Sequence, residues 1–287
     1  MTNTKVIKSV VAFFIIINTS FALGQYDELN YYPDHTRNRI ESSNIKNESL
    51  KSTLFEVLTK KHIQNSFGGD ELTNQCAGPN CYSHQTLTYS QARKFLFGQL
   101  HIQRSDRGYF IKDVYCHKNF NKSSGVGPMR IPNSNIINCE HTWPQSKFSN
   151  RFSKSTQKSD LHHLFPTDSR ANSTRGNYPF AEVNGMVLGN NCDSSSIGSP
   201  AQTYKFSSTY FEPPIEHRGN VARALFYFSV RYQIKINITQ ETYLKKWHEE
   251  DPVDQNEMIR NNEIMDIQGN RNPFIDFPHL VSDIQDF

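Results

Sequence analysis

The sequence carries little excess charge of either sign. Its 287 residues include 31 basic and 28 acidic side chains, which leaves a formal net charge of +3 at pH 7. A charge this small sets up no strong field over the whole surface, so a polyanionic partner has to bind at a local basic patch. Aromatic residues make up 12% of the chain and its mean hydropathy is −0.66, values typical of a soluble globular protein.

Long apolar runs are absent after the first two dozen residues, and no later segment is apolar enough to span a bilayer. Near the start, Lys5 and Lys8 precede the run "VVAFFIII", and small residues follow at positions 22–24. A basic start, a short apolar core and small residues are typical of a secretory signal peptide, whereas a membrane anchor needs a longer run. We therefore predict a signal peptide at residues 1–24 and a secreted or periplasmic mature protein that does not contact a membrane.

Cysteine is scarce, and no two cysteines have the C-x-x-C spacing that is typical of zinc sites. An exported protein meets oxidising conditions, so we expect at least one disulfide, and the odd number leaves one thiol over. Cys76 and Cys81 flank "AGPN", a turn that can bring them together. The sequence leaves the other pairings open among the five cysteines, which are Cys76, Cys81, Cys116, Cys139 and Cys192.

The chain shows no internal repeat and no clear linker. Residues 34–49 are polar and lack an apolar period, so we expect them to be mobile. Apolar positions recur at helical spacing in "SLKSTLFEVLTKKHIQNSF", which predicts a helix that ends at Gly68. We therefore predict a polar N-terminal extension with one helix at residues 25–85, followed by a main domain at residues 86–287.

The main domain is predicted to be a single α+β domain with a helix-rich C-terminal third. The segment "TYSQARKFLFGQL" predicts a helix with Ser90 as its N-cap, and "GYFIKDVYC" predicts a strand from Gly108 to Cys116. A second strand is expected to run into Cys139, and a basic polar loop is expected at residues 147–159. Apolar residues in "GNVARALFYFSVRYQI", "TYLKKWHEE" and "VDQNEMIRNNEIMDI" predict the C-terminal helices.

An acid and a histidine stand side by side in "INCEHTWPQS", at the end of the second predicted strand. Neighbours on a regular strand point to opposite faces, so Glu140 and His141 can share a site only where the strand ends or distorts. Pro144 indicates such an ending, because proline cannot donate a ladder hydrogen bond. The two residues form either a local ion pair or a metal ligand beside the general base of a hydrolytic site.

A second polar cluster occupies "SDLHHLFPTDSRANSTRGN", residues 159–177. A solvated helix face can carry such residues, and we expect Asp160 and Asp168 to cap helices or turns and His163 to pack. Carboxylate, amide and guanidinium groups in one short segment also suit a hard cation together with a phosphate. The cluster consists of Asp160, His162, His163, Asp168, Arg170, Asn172 and Arg175.

At these two segments the chain resembles a known family. "CEHTWPQS" and "DLHHLFPTDSRANSTRGNYPF" are similar to motifs of the bacterial endonuclease I family, periplasmic and secreted nucleases with a ββα-metal (His-Me finger) core. "EPPIEHRGNVARALFYFSVRY" and "DPVDQNEMIRNNEIMDIQGNRNPFIDFP" continue the resemblance downstream. It covers residues 89–278 in ordered blocks, and the stretch up to about residue 82 lies outside it. The main domain is accordingly expected to be catalytic and to be built around a ββα-metal core.

The resemblance implies a metal site and a base. Glu140 would ligate a divalent cation, Asn172 would be its second protein ligand, and His141 would activate water. The implied cofactor is one Mg²⁺, with Mn²⁺ or Ca²⁺ able to replace it in binding. Magnesium keeps most of its waters and takes few protein oxygens, so one carboxylate and one amide suffice. A neutral imidazole can accept a proton from water near pH 7.

The resemblance also implies groups that hold the phosphate. Arg175 follows Asn172 at the family's spacing. The family's phosphate-stabilising arginine lies between the two motifs, where this sequence differs in length, and Arg151 is the nearest candidate for a catalytic arginine. Asp160 and His162 are expected to support the site from behind. Lysines of the basic loop are expected to contact phosphates, namely Lys147, Lys154 and Lys158.

Together these residues predict a monomeric, metal-dependent endonuclease that hydrolyses phosphodiester bonds of DNA, with RNA left open as a substrate. Contacts to the nucleic-acid backbone carry no sequence information, so little sequence selectivity is expected. A nucleic-acid-binding protein without catalysis is one alternative. A zinc hydrolase that uses His141, His162 and His163 is another, although the chain lacks H-E-x-x-H or a comparable ligand spacing.

Overall fold

A computed structural model describes residues 28–201 and 208–287. The predicted signal peptide at residues 1–24 lies outside the described residues, and none of the helices within them is long and apolar enough to cross a membrane. The α-helices are Asp34–Glu41 (α1), Asn47–Thr59 (α2), Tyr89–Phe95 (α3), Lys154–Ser159 (α4), Ser169–Arg175 (α5), Arg218–Tyr232 (α6), Ile238–Glu250 (α7), Gln255–Gln268 (α8) and Pro273–Asp276 (α9).

The strands form small antiparallel sheets. They are Lys61–Ile63 (β1), Glu71–Thr73 (β2), Cys81–Tyr82 (β3), Gln103–Ser105 (β4), Gly108–Lys112 (β5), Asn119–Asn121 (β6), Ile137–His141 (β7), Leu164–Asp168 (β8), Val183–Val187 (β9), Ser196–Pro200 (β10) and Tyr210–Glu212 (β11). The sheet orders are β2-β1-β3, β4-β5-β6, β7-β8 and β11-β10-β9. The α+β prediction is confirmed, as is the helix-rich C-terminal third, which contains α6 to α9.

Helix α6 lies at the centre of the hydrophobic core. Nearly all of its residues are buried, including Leu225, Phe226 and Phe228. A helix that is covered on every side carries apolar residues all round rather than along one stripe. The core cluster around it extends from Tyr31 to Phe287, so the N-terminal segment packs onto the same core as the C-terminal helices. The division between residues 85 and 86 stays a prediction.

The N-terminal segment is more regular than its polar sequence indicates. Residues 34–49, expected to be mobile, contain α1 and the start of α2, so the expectation of a single helix was also wrong. Ile40 is buried on α1 as part of a core cluster that extends to Phe287, and a local pattern does not reveal this packing. Helix α2 ends at Thr59 instead of continuing to Gly68, because β1 then pairs with β2 and β3.

Three local predictions are corrected by side-chain caps. Helix α3 is capped by Thr88 rather than Ser90, since Thr88 and Gln91 form a reciprocal capping box. The strand that begins at Gly108 ends at Lys112, because the Asp113 carboxylate accepts backbone hydrogen bonds and turns the chain before Cys116. The predicted basic loop contains α4, whose N-terminus is capped by the Ser153 side chain.

Two disulfides join four of the cysteines. Cys76 pairs with Cys81 and Cys116 pairs with Cys192. Cys139 is the remaining thiol and is buried. The expected bridge formation is confirmed, together with the single cysteine left over. The first bridge closes the "AGPN" turn, as its flanking positions indicated.

Candidate active site

The two motifs meet in a hairpin followed by a helix. Strand β7 pairs with β8, and α5 begins directly after β8. Asp168 accepts hydrogen bonds from the backbone N–H groups of Arg170 and Ala171 and so caps α5, as expected from the sequence. Asn172 then lies one turn into α5, where its Nδ2 donates to the backbone oxygen of Cys139 at 3.2 Å.

Glu140 and His141 are the last two residues of β7. The chain turns away after them toward Pro144, and both side chains line one cavity of about 610 Å³. Asn172 and Arg175 line the same cavity from α5. The strand ending predicted from Pro144 is confirmed, and it allows neighbouring residues to face a common space.

Glu140 is held in place by two donors. Its side chain is only 1% exposed. Glu140 Oε1 accepts a hydrogen bond from the Tyr115 hydroxyl at 2.9 Å and lies 3.1 Å from Arg175 Nη1. Burial raises the pKa of Glu140, and the charge of Arg175 and the Tyr115 hydroxyl oppose that rise. No hydrogen bond from the described residues engages Oε2, so this oxygen is available to a ligand.

His141 is oriented by the end of α4. Its Nε2 lies 3.1 Å from the backbone oxygen of Lys158, one of the last carbonyls of that helix, which lack intrahelical donors. A carbonyl can only accept, so Nε2 carries the proton and Nδ1 has the lone pair. Gln145 Nε2 lies 3.4 Å from Nδ1, an arrangement in which the amide donates. Burial lowers the pKa of His141 to about 3, which leaves the imidazole neutral at pH 7.

Arg175 joins α5 to the end of β7. Its side chain is 2% exposed, and it donates to the backbone oxygens of His141 at 3.1 Å and Thr142 at 2.6 Å. The guanidinium also stacks over the Phe180 ring at 4.5 Å. Together with the ion pair to Glu140, these contacts fix the backbone and the carboxylate of the strand end.

A second cavity of about 520 Å³ adjoins the first. The two share Pro144, Arg175 and Asn177 in their linings. Lys147 also lines the second cavity, and burial together with the nearby Arg175 charge lowers the pKa of its ammonium group. Among the described residues no carboxylate lines this second cavity, so its surface is basic and suits an anionic chain.

The other residues predicted to contact phosphate lie at different distances from the cavity of Glu140. Lys158 lies with its Nζ 4.4 Å from the centre of the Tyr89 ring, and Tyr89 lines the cavity of Glu140. Lys154 is exposed at the first turn of α4. The structure does not bring Arg151 to the cavity, since Arg151 lies in the turn before α4 and lines another cavity together with Phe55.

The three histidines of the zinc alternative are not arranged as a metal site, although the ring centres of His141 and His163 lie 5.5 Å apart. His162 Nε2 faces the backbone oxygen of Asn270 at 3.2 Å, and His163 Nε2 faces that of Gln157 at 2.8 Å. His141 Nε2 is likewise engaged by a carbonyl. In residues 28–201 and 208–287, no group of three or more His, Cys, Asp or Glu side chains is arranged to hold a metal ion.

Asp160 and His162 lie behind the hairpin and contact the C-terminal helices. Asp160 Oδ2 accepts hydrogen bonds from the hydroxyls of Tyr227 and Tyr232, both at 2.8 Å. Asp160 also accepts from the backbone N–H of His162, so it caps the short helical turn there, as its expected capping role requires. Neither side chain lines the cavity of Glu140.

Sequence reasoning missed three residues of the site. Tyr115 donates to Glu140, Gln145 approaches the imidazole, and the Tyr89 ring centre lies 5.6 Å from that of His141. Gln145 belongs to the quoted "EHTWPQS" motif, so its proximity was a detectable signal. Tyr115 and Tyr89 come from distant parts of the chain, and nothing local marks them.

Comparison with known proteins places the chain among nucleases. The sequence model of the family described as Endonuclease I matches residues 47–279. This range begins within the predicted N-terminal extension, earlier than the resemblance at residues 89–278. The matched range includes the β7-β8 hairpin, α5 and the C-terminal helices α6 to α9.

Individual relatives carry nuclease names. An "Extracellular ribonuclease" of Bacillus subtilis (strain 168) is 34% identical over 255 residues, which cover 83% of this chain and 74% of the relative. An "Extracellular ribonuclease" of Bacillus amyloliquefaciens is 36% identical over 165 residues, covering 51% of this chain and 53% of the relative, so the chain spans about half of that protein's length. An "Extracellular deoxyribonuclease" of Aeromonas hydrophila is 32% identical over 118 residues, covering 41% of this chain and 48% of the relative. The chain therefore belongs to the Endonuclease I family.

Proposed function

We propose that this protein is an exported, metal-dependent endonuclease that hydrolyses phosphodiester bonds without sequence preference. The observation that carries the proposal is the orientation of His141, whose Nε2 faces the Lys158 carbonyl and whose Nδ1 is left as an acceptor. That imidazole lines one cavity together with Glu140 and Asn172. Family membership and the names of the relatives support a nuclease, and one chain supplies every proposed group, as in a monomer.

His141 is the proposed general base. A neutral imidazole can accept a proton from the attacking water at Nδ1, where the only contact from the described residues is the long one of 3.4 Å with the Gln145 amide. The low pKa of His141 keeps the ring neutral over the physiological range. The Lys158 carbonyl fixes the tautomer, and it also stabilises the positive charge that the ring gains on protonation. Gln145 limits rotation of the ring from the side of Nδ1.

Glu140 and Asn172 are the proposed metal ligands. The Asn172 amide donates from Nδ2 to Cys139, so its Oδ1 remains for a cation, and Oε2 of Glu140 is likewise unengaged in the described part of the chain. One carboxylate oxygen and one amide oxygen fit Mg²⁺, which retains several waters, better than zinc, which favours nitrogen and sulfur donors. When bound, the ion would neutralise charge on the phosphate and on the departing oxygen.

Arg175 replaces Arg151 in the proposed mechanism. Arg175 contacts the carboxylate proposed as metal ligand and both carbonyls that follow it, so it positions Glu140 and places positive charge at the cavity. Arg151 lines a different cavity. Lys147 and Lys158 lie beside the site and are the proposed contacts to flanking phosphates, whereas Lys154 would contact a longer substrate from the exposed surface. Asp160 and His162 are proposed to support the hairpin from the core.

The proposed substrates are DNA and RNA. The relatives include proteins named ribonucleases and proteins named deoxyribonucleases. The second cavity is lined by Lys147, Arg175 and Lys235, whose positive charges suit the phosphates of a nucleic-acid backbone. Backbone contacts of this kind do not read sequence. The relatives named extracellular or periplasmic support export, with the segment at residues 1–24 as the proposed signal peptide.

Cleavage of several nucleic acids by the purified protein tests this proposal. Supercoiled plasmid, linear duplex DNA, single-stranded DNA and RNA would be incubated with Mg²⁺, with EDTA, and with EDTA followed by excess Mg²⁺. We expect nicking and fragmentation with Mg²⁺, loss with EDTA and recovery on re-addition. Binding without cleavage under every metal condition would contradict the proposal and favour a nucleic-acid-binding protein.

A further inference from the structure

A cavity of about 600 Å³ lies between α2 and the end of α6, apart from the cavity of Glu140. Its lining is polar and includes hydroxyl and amide side chains from the N-terminal sheet. Basic groups from β1 and α6 also line it, and Glu56 supplies the only carboxylate that the described residues place there. The basic and histidine residues of the lining are Lys60, Lys61, His84 and Arg231.

Arg231 differs from the other basic residues of this cavity because its guanidinium is buried without a hydrogen-bond partner among the described residues. It lies in the last turn of α6 and is 8% exposed. Within the described residues, no hydrogen bond or ion pair reaches its guanidinium, and its Nε is buried without a partner. The guanidinium lies over the Tyr232 ring, 5.2 Å from its centre. Buried guanidinium groups ordinarily hydrogen bond to carboxylate, phosphate or carbonyl oxygens, so Arg231 has an unmet requirement for an acceptor.

The neighbouring carboxylates are already occupied. Both oxygens of Asp160 accept hydrogen bonds from neutral donors, including Tyr232 at 2.8 Å and Gln268 at 2.9 Å. Glu56 forms an ion pair with Lys60 at 3.1 Å. Neither carboxylate contacts Arg231, so the charge of its guanidinium is not neutralised by a direct partner in the described part of the chain.

His84 adds a second unpartnered group. Its Nδ1 is buried and has no hydrogen-bond partner among residues 28–201 and 208–287. Burial lowers the pKa of His84 to about 4, with Asp160 opposing the shift and Arg231 adding to it, so the ring is neutral at pH 7. A neutral imidazole can donate one hydrogen bond to an anion beside the guanidinium. Lys61 supplies a further positive charge at the same cavity.

We propose that this cavity is a binding site for a phosphate group, with Arg231 as its principal ligand and Lys61 and His84 as additional contacts. The planar guanidinium can donate two parallel hydrogen bonds to phosphate oxygens, which matches the geometry of a phosphate better than that of a monatomic anion. The phosphate can belong to a free anion or to the backbone of a nucleic acid. The site is separate from the cavity of Glu140, so it does not depend on the proposed endonuclease activity.

Calorimetric titration of inorganic phosphate into the full chain tests the site. The buffer would hold ionic strength constant with acetate, and Arg231→Gln would be compared with wild type. We expect the dissociation constant to rise at least about tenfold in Arg231→Gln, since the charged donor is lost. Arg107→Gln is the matched control, because Arg107 is exposed in the turn between β4 and β5 and should bind phosphate as wild type does.

Thermal unfolding gives an independent readout. Phosphate should raise the midpoint of the wild type and of Arg107→Gln, and should raise that of Arg231→Gln much less. If Arg231→Gln does not fold, Lys61→Gln and His84→Gln would be measured instead, each with a smaller expected loss of phosphate binding. Equal phosphate response in the wild type and in every folded cavity variant would overturn the proposal, as would absence of phosphate binding to the wild type.

A second arm identifies the source of the phosphate. Binding of a fluorescent oligonucleotide of about twenty nucleotides would be measured in Ca²⁺ for the same variants. A weaker oligonucleotide complex in Arg231→Gln would show that the site holds a backbone phosphate of a nucleic acid. An unchanged oligonucleotide complex, together with lost binding of inorganic phosphate, would show that the site holds a free phosphate. Cleavage by the wild type is scored separately, so failure of this site leaves the endonuclease proposal standing.

Discussion

The hydroxyl of Tyr115 donates a hydrogen bond of 2.9 Å to Glu140 Oε1, although the two residues lie 25 positions apart. The bond joins the loop after β5 to the end of β7 and directs the carboxylate into the cavity. Both partners are buried, so each satisfies a polar group of the other that water cannot reach. Tyr115 thus belongs to the proposed metal site without contacting the metal.

Tyr115→Phe should make cleavage require more Mg²⁺ while the protein still folds. Loss of the hydroxyl removes one hydrogen bond, which typically costs about 0.5–1.5 kcal/mol, and leaves Glu140 freer to rotate. We expect the Mg²⁺ concentration for half-maximal cleavage to rise, with a modest drop in the free energy of unfolding. Titration of activity against Mg²⁺ checks this, and Tyr109→Phe, a change at an exposed position of β5, is the control. An unchanged half-saturation in Tyr115→Phe would contradict the positioning role.

Glu140→Gln and Asn172→Ala should each raise the half-saturating Mg²⁺ concentration, by about tenfold or more, because each removes an oxygen ligand or its charge. The glutamine keeps the size of the buried side chain, so the variant tests ligation more than packing. Asn177→Ala is the matched control, since Asn177 lines the same cavity but is not a proposed ligand. If the first two variants titrate as the wild type does, the metal binds elsewhere.

Arg175→Lys should lower the rate of cleavage much more than Arg151→Lys does. A lysine ammonium cannot reach Glu140, the His141 carbonyl and the Thr142 carbonyl at once, so Arg175→Lys should lower single-turnover cleavage on the order of 10²-fold. Arg151→Lys should cleave close to the wild-type rate, because Arg151 lies in another cavity. Quench-flow cleavage in Mg²⁺, with binding in Ca²⁺ measured alongside, checks both. A large loss for Arg151→Lys alone would restore Arg151 as the catalytic arginine.

Acid should destabilise the fold through its buried histidines. Burial lowers the pKa of His162 to about 3 and of His163 to about 4, whereas an unfolded histidine titrates near 6.5. Between those values the unfolded state binds more protons, so the free energy of unfolding falls as pH decreases below about 6.5. Where its unfolded form is fully protonated and its folded form is neutral, each histidine lowers the free energy of unfolding by about 1.4 kcal/mol per pH unit.

Urea unfolding between pH 7 and pH 5 measures that slope. His163→Gln should reduce the slope of the free energy of unfolding against pH by the contribution of one histidine. Glutamine can still donate toward the Gln157 carbonyl but does not titrate. Mutation of the exposed His279 to Gln should leave the slope as it is. A free energy of unfolding that is constant from pH 7 to pH 5 would contradict this account.

Short-range sequence patterns predicted the parts of the site that are built locally. The proline after the Glu140-His141 pair indicated the strand ending, and the helix after Asp168 followed from its capping chemistry. Asn172 was singled out by the resemblance, and the structure places it one turn into that helix, where its amide reaches β7. The ordered motifs of the family then assigned the chemistry.

Long-range contacts explain what the sequence did not predict. Ile40 on α1 is buried in a core cluster that extends to Phe287, whereas its local sequence predicted a mobile segment. Strand β1 pairs with β2, where the apolar spacing predicted a longer helix. Arg151 was the candidate catalytic arginine and Arg175 a predicted phosphate contact, and the sequence does not show that Arg175 lines the cavity of Glu140 whereas Arg151 lines another. Tyr115 carried no signal, because its role is defined by a residue on another strand.

His141→Ala tests the central claim most directly, through single-turnover cleavage of a labelled duplex in Mg²⁺ alongside binding in Ca²⁺. The account predicts a loss of cleavage on the order of 10² to 10⁴ with binding nearly unchanged, because His141 acts on the attacking water and not on the metal. His279→Ala, which removes an exposed histidine, should cleave as the wild type does. Near-native single-turnover cleavage by His141→Ala would contradict its assignment as the general base.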